Sequence, residues 1–532
     1  MVQRRGAQRG WLGIDLGTQS VRAVLVDDEG VILGSASVPL ESSRPAEGRH
    51  EQDPERWWAA VAEACQSAMA EAGPAEVGGL ACCATSGTIL LTEPTGEDPV
   101  RPLTPALMYD DARAQEQGER VRAAIVPAWR EAGLTPQRTW ALPKALWLME
   151  HERPPRHARL THQADLINSR FLGRPAATDT SHALKSGADP ARGTWPTDDL
   201  TRLGLAPELL PPLVWPGATL GEVSARAARA TGVPSGTPVV AGMTDGCAAQ
   251  IAAGVLDVGR WQFSVGTTLV LKGASTALLR DPTGALYSHR GPDGAWWPGG
   301  ASSAGTVPIN KEFSPESFDA FTRAAAKHEP SPQVAYPLGG LGERFPFHNP
   351  DAHAIALGVA NSDGERFAAL LQGVAFVERL CLDLVTTLGA TVDGPVTLTG
   401  GATRSTYWTQ LQADILGRGV VVPGIAQGAV GMAILAAYAR GDRPSATSAP
   451  SPPPPEAASG PRPQNAFGGD LAGTGDLAGV AKRMLGPTRS YDPRPGGTQR
   501  FAEPYARLVG ELRRREWIGT ELERTALEGL GE

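Results

Sequence analysis

The chain has 532 residues, of which 41% are hydrophobic and 20% are charged, so it is long enough for two domains and ordinary in composition for a globular protein. A formal net charge of −8 excludes the broad basic face that a nucleic-acid-binding protein needs. Polar residues interrupt the apolar stretches near the N-terminus and at 420–439, so we predict neither a secretory signal nor a membrane span, and we expect a cytoplasmic protein without membrane or nucleic-acid partners.

The first elements are predicted to be three strands joined by tight turns. The strands are the apolar runs at 11–15, 21–26 and 31–38, and turn residues lie at 16–20 and 27–30 between them.

A helix is predicted to follow Asp53, because this residue can cap a helix and Pro54 suits the first helical position. Residues 79–84 then predict a buried strand that leads into a polar segment at 85–88.

The middle of the chain repeats this organisation. The predicted elements there are strands at 237–241, 261–264, 269–273 and 396–399, a short helix at 247–253 and a longer helix at 405–416. Each half contains two strands joined by a turn that carries Gly-Thr, at Gly17 and Gly266. This repetition predicts a duplicated scaffold of two lobes with a cleft between them.

The composition changes to Pro, Ser, Ala and Gly at 441–476, which predicts a disordered insertion that cannot bury enough apolar surface to fold. Helical periodicity returns at 501–517. We expect this tail to pack on a lobe, although its many charges also fit a solvated helix.

The turn after the first strand carries groups suited to phosphates and a metal ion. Gly17 allows close approach of a ligand, while Thr18 and Ser20 offer hydroxyl and amide donors and Arg22 offers a positive charge. Asp15, at the end of the strand, is a candidate ligand for Mg²⁺, directly or through water. A plain hairpin with an acidic turn residue is an equally good interpretation of this segment alone.

A second candidate phosphate turn contains Gly266, Thr267 and Thr268. Gly400 and Gly401 follow a strand and precede a helix, where open backbone could lie against adenine or ribose. The alternatives are an ordinary hairpin and tight packing of a strand on a helix.

Asp245 follows a buried strand at the expected junction of the lobes. There it could accept the proton of a substrate hydroxyl during phosphoryl transfer. The competing interpretation is a helix N-cap, since an alanine-rich helix follows directly; on position alone the cap is favoured.

Asp110, Asp111 and Arg113 combine hydrogen-bond acceptors with a fork of donors, a combination that suits a polyol. A solvated loop is the alternative. The five cysteines have no zinc-ligand spacing, which indicates free thiols. The absence of Gly-x-x-x-x-Gly-Lys and of an N-terminal Gly-x-Gly-x-x-Gly disfavours a P-loop or a dinucleotide enzyme.

Together these segments resemble the FGGY family of carbohydrate kinases over about 11–438 and again at 491–505. The resemblance rests on five motifs in order: 15–22 and 265–268 are similar to the family's phosphate motifs, 242–246 to its catalytic segment, 399–405 to its adenosine motif, and 428–437 to the helix that follows. It implies an α/β fold of two ribonuclease-H-like, actin-like ATPase lobes with a cleft between them. Within the family, 243–247, 266–273, 287–290 and 85–88 resemble the D-ribulose kinase and xylulokinase-like subgroup.

The resemblance implies a division of the chain into an N-terminal lobe at 1–238, a C-terminal lobe at 239–440, the insertion at 441–476 and a helical segment at 477–532. It implies a catalytic Asp245 and a sugar site that includes Asp15, Ser86, Asp111 and Asp245. The implied ATP-binding residues are Thr18, Ser20, Arg22, Gly266, Thr267, Thr268, Gly400, Gly401, Ala402 and Arg404.

We therefore predict an enzyme that uses ATP and Mg²⁺, the latter through Asp15, to phosphorylate a ketopentose, with D-ribulose first and D-xylulose or another ketose or polyol as alternatives. The expected assembly is a monomer or a homodimer. An actin-like ATPase without a sugar substrate and a sugar sensor without turnover are alternatives from other classes.

Overall fold

The computed structural model describes residues 8–96, 98–440 and 476–530. The predicted insertion therefore lies, apart from Asp476, outside the described residues. Among the helices of the described ranges, none has both the length and the apolar character needed to cross a membrane.

The first half of the chain is built on a six-stranded sheet with the order β12-β13-β5-β1-β2-β3. Strands β1, β2 and β3 form an antiparallel meander, while β5 is parallel to β1 and β13 is parallel to β5. The elements of this half are β1 Gln8–Leu16, β2 Ser20–Asp27, β3 Ile32–Pro39, β4 Glu51–Gln52, α1 Pro54–Ala72, β5 Ala75–Ala84, β6 Ile89–Glu93, β7 Arg101–Pro102, β8 Ala106–Leu107, α2 Gln115–Ala123, α3 Pro127–Glu131, α4 Ala141–Glu152, β9 Arg159–His162, α5 Gln163–Leu172, β10 Thr178–Asp179, α6 Thr180–Ala183, α7 Thr197–Leu203, β11 Leu213–Val214, β12 Thr219–Glu222, α8 Ala225–Thr231, β13 Pro238–Val240 and α9 Asp245–Ala252.

The second half is built on a seven-stranded sheet with the order β16-β17-β15-β14-β20-β21-β22. Its strands β14, β15 and β17 are antiparallel, while β20 is parallel to β14 and β21 is parallel to β20. The elements are β14 Trp261–Val265, β15 Leu269–Gly273, β16 Tyr287–Arg290, β17 Trp296–Ser302, α10 Val307–Glu312, α11 Phe318–Ala325, β18 Val334–Tyr336, β19 Ile355–Leu357, α12 Asp363–Thr387, β20 Val396–Thr399, α13 Thr406–Leu416, β21 Val420–Pro423, α14 Gly428–Arg440, α15 Leu477–Met484, β22 Thr488–Tyr491, α16 Gly497–Arg500, α17 Ala502–Arg514 and α18 Thr520–Glu528.

The two sheets share one topology. In each, antiparallel strands come first, three in the first sheet and four in the second, where β16 adds an edge strand beside β17. A long helix follows (α1 or α12), and two parallel strands are added beside the first strand. A further helix, α9 or α14, begins after the last of these parallel strands. The predicted duplication of the scaffold is thereby confirmed, and the predicted boundary at 238 and 239 falls at the start of β13.

The helices α9 and α14 lie against each other between the sheets, and α14 also packs on β1 and β5. Small residues make this approach possible. A Cβ atom on Gly13 would lie 1.7 Å from the carbonyl oxygen of Ala429, and one on Gly431 would lie 2.1 Å from that of Ala248. No side chain larger than hydrogen fits either position without moving backbone.

Local signals in the sequence account for where the helices begin. The Asp53 side chain accepts a hydrogen bond from Glu55 N, with Pro54 at the first position of α1, as predicted. Ser405 caps α13 in the same way, through Trp408 N.

The C-terminal segment completes the second lobe. Strand β22 pairs with β21, and Phe501, Tyr505 and Leu512 are buried in the core that includes α12. Arg494 binds the buried carboxylate of Asp414 and also Glu329. The tail is therefore packed on a lobe, as the first of the two sequence interpretations expected.

Candidate active site

Several of the predicted site residues lie where strands that take part in parallel pairs end, in both sheets. Asp15 is near the carboxyl end of β1, Ser86 follows β5, and Asp245 follows β13. On the other lobe, Gly266 follows β14 and Gly400 follows β20. The carboxyl ends of parallel strands are the usual place for ligand binding in α/β folds, so the topology brings Asp15, Ser86 and Asp245 to one edge of the first sheet, and Gly266 and Gly400 to one edge of the second.

Asp245 is the first residue of α9, and the N-cap position is occupied by Thr244, whose side chain makes no capping hydrogen bond. Oδ1 of Asp245 accepts a hydrogen bond from Gly246 N at 2.7 Å. The N-cap interpretation therefore does not describe this residue.

The Asp245 side chain is open to the solvent of the cleft, yet protein surrounds it on most sides. This loss of bulk water raises the pKa of its carboxyl group, while the Gly246 amide and the charges of Lys185, His182 and Lys272 act in the opposite direction. A carboxylate with a raised pKa in a cleft is suited to accept a proton.

Asp15 lies close to Asp245. Burial and the negative charge of Asp245 raise the pKa of the Asp15 carboxyl group, and a hydrogen bond from Cys83 and the charge of Arg22 oppose that shift. The Cys83 Sγ atom is 3.4 Å from Asp15 Oδ1. On the other side, a Cβ on Gly428 would lie 3.0 Å from Asp15 Oδ2, so the start of α14 comes up against this carboxylate.

The remaining residues of the first turn are accessible. Arg22 pairs directly with Asp15 across the antiparallel strands and is exposed, while Thr18 and Ser20 are half-buried. Gly17 N donates to Ser20 O and closes the turn. These groups share one face of the lobe with Asp15.

The structure brings together the second phosphate turn and the Gly-Gly segment. Gly400 has a φ of 88°, and a Cβ there would lie 2.5 Å from the carbonyl oxygen of Val265. Gly266, Thr267 and Thr268 form the bend between β14 and β15. Gly401 and Arg404 are exposed, whereas Ala402 is buried. Ala402 can therefore contact a ligand through its backbone but hardly through its side chain.

The two predicted sugar residues on the first lobe differ in their surroundings. The buried Oγ atom of Ser86 has no hydrogen-bond partner in the described part of the chain. Asp111 is fully buried, and both of its oxygens accept hydrogen bonds, from His50 N and from Arg113. Direct contact of a sugar with Asp111 would require these bonds to open.

Three cationic side chains near Asp245 were missed in the sequence. Lys185 and His182 belong to the segment after β10, and Lys272 is a buried residue of β15 whose Nζ is 3.8 Å from Cys247 Sγ. Burial acts to lower the pKa of His182, but the Asp179 carboxylate outweighs it and raises that pKa. A lysine within an apolar strand is a signal that could have identified Lys272; the short segment around Lys185 carries no such pattern.

Asp15 and Asp245 are the acidic pair available to a divalent cation. Among the residues that the structure describes, no group of three or more His, Cys, Asp or Glu side chains forms a complete metal site. One or two carboxylates completed by phosphate oxygens and water is the usual way in which proteins hold Mg²⁺, and the donor set fits that mode.

Two family models cover most of the chain. The N-terminal domain of the FGGY family of carbohydrate kinases matches residues 10–252, and its C-terminal domain matches residues 263–440. The xylulose kinase of Streptomyces rubiginosus is 32% identical over 431 residues, which cover 78% of this chain and 85% of that protein. The xylulose kinase of Escherichia coli (strain K12) is 28% identical over 421 residues, which cover 77% and 85%.

Solved structures share the fold. A xylulose kinase from Rhodospirillum rubrum superposes with a TM-score of 0.80 at 24% identity, covering 95% of this chain and 99% of the other. A gluconate kinase from Lactobacillus acidophilus gives a TM-score of 0.80 at 19% identity, covering 96% and 98%. These likenesses confirm the predicted α/β fold with two actin-like lobes.

Proposed function

The chain belongs to the FGGY family of carbohydrate kinases, and from this premise we propose that it transfers the γ-phosphate of ATP to a terminal hydroxyl of a ketopentose, with D-xylulose first. Membership of this family makes the chain a sugar kinase. We propose which sugar and nucleotide it uses and what its individual residues do.

The observation that carries the proposal is the placement of Asp245. Its carboxylate is open to the cleft, has a raised pKa, and lies close to Asp15 and to three basic side chains, those of Lys185, His182 and Lys272. Its only hydrogen bond within the described residues comes from Gly246 N, so one oxygen is left for a ligand.

In the proposed reaction, the Asp245 carboxylate accepts the proton of the sugar hydroxyl while that oxygen bonds to the γ-phosphorus of ATP. The bond from the γ-phosphorus to the bridging oxygen breaks, and ADP leaves. Thr18, Ser20 and Arg22 hold the phosphates from the first lobe, and the turn at 266–268 holds them from the second.

Asp15, with Asp245 beside it, would hold Mg²⁺ directly or through water. The ion supplies positive charge that offsets the phosphate oxygens. The raised pKa of Asp15 is consistent with a carboxylate that lacks a full partner in the protein alone. On the nucleotide side, Gly400, Gly401, Ala402 and Arg404 would lie against adenosine.

The identity of the sugar is the part of the sequence-based prediction that has less support than the kinase activity. The relatives at 28–32% identity are named xylulose kinases, which supports D-xylulose more than D-ribulose. D-ribulose therefore becomes the second candidate, and it rests on the segments that resemble the D-ribulose kinase subgroup.

A coupled assay of ADP release tests the proposal, with purified protein, ATP, Mg²⁺ and separate additions of D-xylulose, D-ribulose, glycerol, gluconate or no sugar. We expect the highest kcat/KM for D-xylulose and little ADP release without sugar. ADP release that no sugar changes would support an actin-like ATPase instead.

Saturable binding of a sugar by calorimetry, without ADP release, would support a sensor. Omission of Mg²⁺ is a further arm of the assay, and full activity in the presence of a chelator would contradict the proposed role of Asp15.

A further inference from the structure

The segment 178–186 lies between the lobes beside Asp245. It consists of β10, α6 and a 3-10 turn at Leu184–Ser186. Asp179 Oδ1 accepts hydrogen bonds from Ser181 N and His182 N and so begins α6. Lys185 is the one residue of this segment that is not buried, and its side chain is therefore the one that can meet a ligand.

Hydrogen bonds fix this segment relative to Asp245. Ser181 Oγ accepts from Thr244 N at 3.2 Å and also bonds Thr244 Oγ1 at 3.2 Å. The same oxygen lies 3.1 Å from Nδ1 of His289, on the second lobe. Since Thr244 directly precedes Asp245, the backbone that carries Lys185 is held at a defined position beside the proposed catalytic carboxylate.

The described residues use little of the hydrogen-bonding capacity of Lys185. Its Nζ donates to Ser86 O at 3.2 Å and lies 5.9 Å from the centre of the Tyr287 ring. Within the ranges that the structure describes, no carboxylate lies within ion-pair distance of Lys185. An ammonium group has three N–H donors. The Ser86 carbonyl accepts one of them, so two remain. The hydroxyl of the same Ser86 has no hydrogen-bond partner among the described residues.

The backbone at Gly87 leaves space for the Lys185 side chain. Gly87 has a φ of 97°, and a Cβ atom there would lie 3.2 Å from Cδ of Lys185. The positive charge of Lys185 also acts on Asp245 and opposes the rise in the Asp245 pKa that burial causes. Lys185, Ser86 and Asp245 thus surround the same part of the cleft from three separate elements.

We propose that Lys185 is a substrate-binding residue that, together with the Ser86 hydroxyl, donates hydrogen bonds to an oxygen of the sugar and so contributes to the choice of sugar. The inference rests on the proposed function, because it takes the substrate to be a sugar bound next to Asp245. A hydrogen bond from a charged donor to a substrate oxygen that is shielded from water is among the stronger contacts that a protein can make at neutral pH.

The test compares Lys185→Met, Lys185→Arg and Ser86→Ala with the wild-type protein, using the sugar that the ADP-release panel identifies. We expect Lys185→Met to raise the KM for the sugar about 10- to 100-fold, with the KM for ATP changed less than about twofold. Lys482→Met, on the exposed face of α15, is the matched control and should change none of these values.

Two further variants separate contact from charge. Lys185→Arg keeps the positive charge near Asp245 but not the shape of the ammonium group, so it should retain the acid limb of the wild-type pH–rate profile while still raising the KM for the sugar. Ser86→Ala removes only a hydroxyl and should raise that KM by about 3- to 10-fold, which keeps the proposal testable if Lys185→Met does not fold.

An unchanged KM for the sugar in both Lys185→Met and Ser86→Ala overturns the proposal. If no sugar in the panel changes ADP release by the wild-type protein, the proposed function is contradicted instead. This outcome is measured in the panel before any variant is compared.

Discussion

Replacement of Asp245 by Asn tests the proposed catalytic base with little disturbance of the fold. The amide keeps an oxygen that can accept the hydrogen bond from Gly246 N, now 2.7 Å long, and it has nearly the same volume. What it loses is the negative charge and the ability to take a proton. Since Thr244 rather than Asp245 occupies the N-cap of α9, the helix does not depend on this carboxylate.

The expected magnitude follows from that role. A positioned general base contributes about 10²- to 10⁴-fold to a rate, which corresponds to about 3–5 kcal/mol of activation free energy. We therefore expect kcat with the sugar to fall by about that factor in Asp245→Asn. Affinity for ATP should change only a few-fold, because the predicted phosphate-binding groups lie on other segments, at 18–22 and 266–268.

The measurement is coupled ADP release at saturating sugar and ATP, with ATP binding followed by calorimetry on the same preparation. Asp53→Asn is the matched control, since Asp53 is an exposed cap of α1 whose Oδ1 accepts from Glu55 N at 3.0 Å, and it should keep wild-type kcat. If Asp245→Asn retained more than about a tenth of wild-type kcat, the assignment of the base would be refuted. Loss of ATP binding in that variant would instead show that the substitution had disturbed the site as a whole.

Three other predictions concern pH, packing and the C-terminal segment. Because burial raises the pKa of Asp245 and only the ionised form accepts a proton, kcat should fall as the pH drops through a value above the ordinary aspartate pKa of about 3.9; a pH–rate profile flat down to pH ~4 contradicts this. Gly13→Ala places a methyl group 1.7 Å from a backbone oxygen of α14 and should lower stability by about 1–3 kcal/mol, seen as a lower urea midpoint, whereas Gly96→Ala, where nothing lies within 4 Å, should have no effect. Arg494→Ala removes the cation that binds the buried Asp414 carboxylate and should cost about 1–3 kcal/mol by the same measurement, and an unchanged midpoint would show that the C-terminal segment is held by other contacts.

The sequence was sufficient for several strands of the two large sheets and for the order of the motifs. Apolar runs ended by Gly and Thr placed β15 and β20 with the observed bounds, at 269–273 and 396–399. Both can be predicted because a buried strand, antiparallel like β15 or parallel like β20, reads as a short apolar run bounded by turn residues. The repeated order of the two halves then placed Asp15, Asp245 and Gly266 at the carboxyl ends of strands, and the structure has them there.

The sequence was not sufficient for the cationic side of the site. Ser181 meets residues 63 and 108 positions away, and Lys185 reaches a carbonyl 99 positions before it. No periodicity relates such residues, because their proximity is a product of tertiary packing, within the first lobe for Lys185 and Ser86 and between the lobes for Ser181 and His289. A four-residue helix such as α6 also carries too little pattern to be placed from local signals.

Residue type alone could not separate carboxylates that bind a ligand from those that hold the protein together. Asp111 and Asp245 are both acidic residues that follow apolar stretches, and both were assigned to the sugar. In the structure, Asp111 has each oxygen engaged by His50 N or Arg113, so its capacity is already used to fix the loop that carries it. Among the described residues, the Asp245 carboxylate accepts a single hydrogen bond, from its own helix. A buried or half-enclosed polar group that the protein leaves unsatisfied is costly unless a ligand completes it. By this criterion we propose that Asp245, Ser86 and Lys185 form the binding surface and that Asp111 supports it.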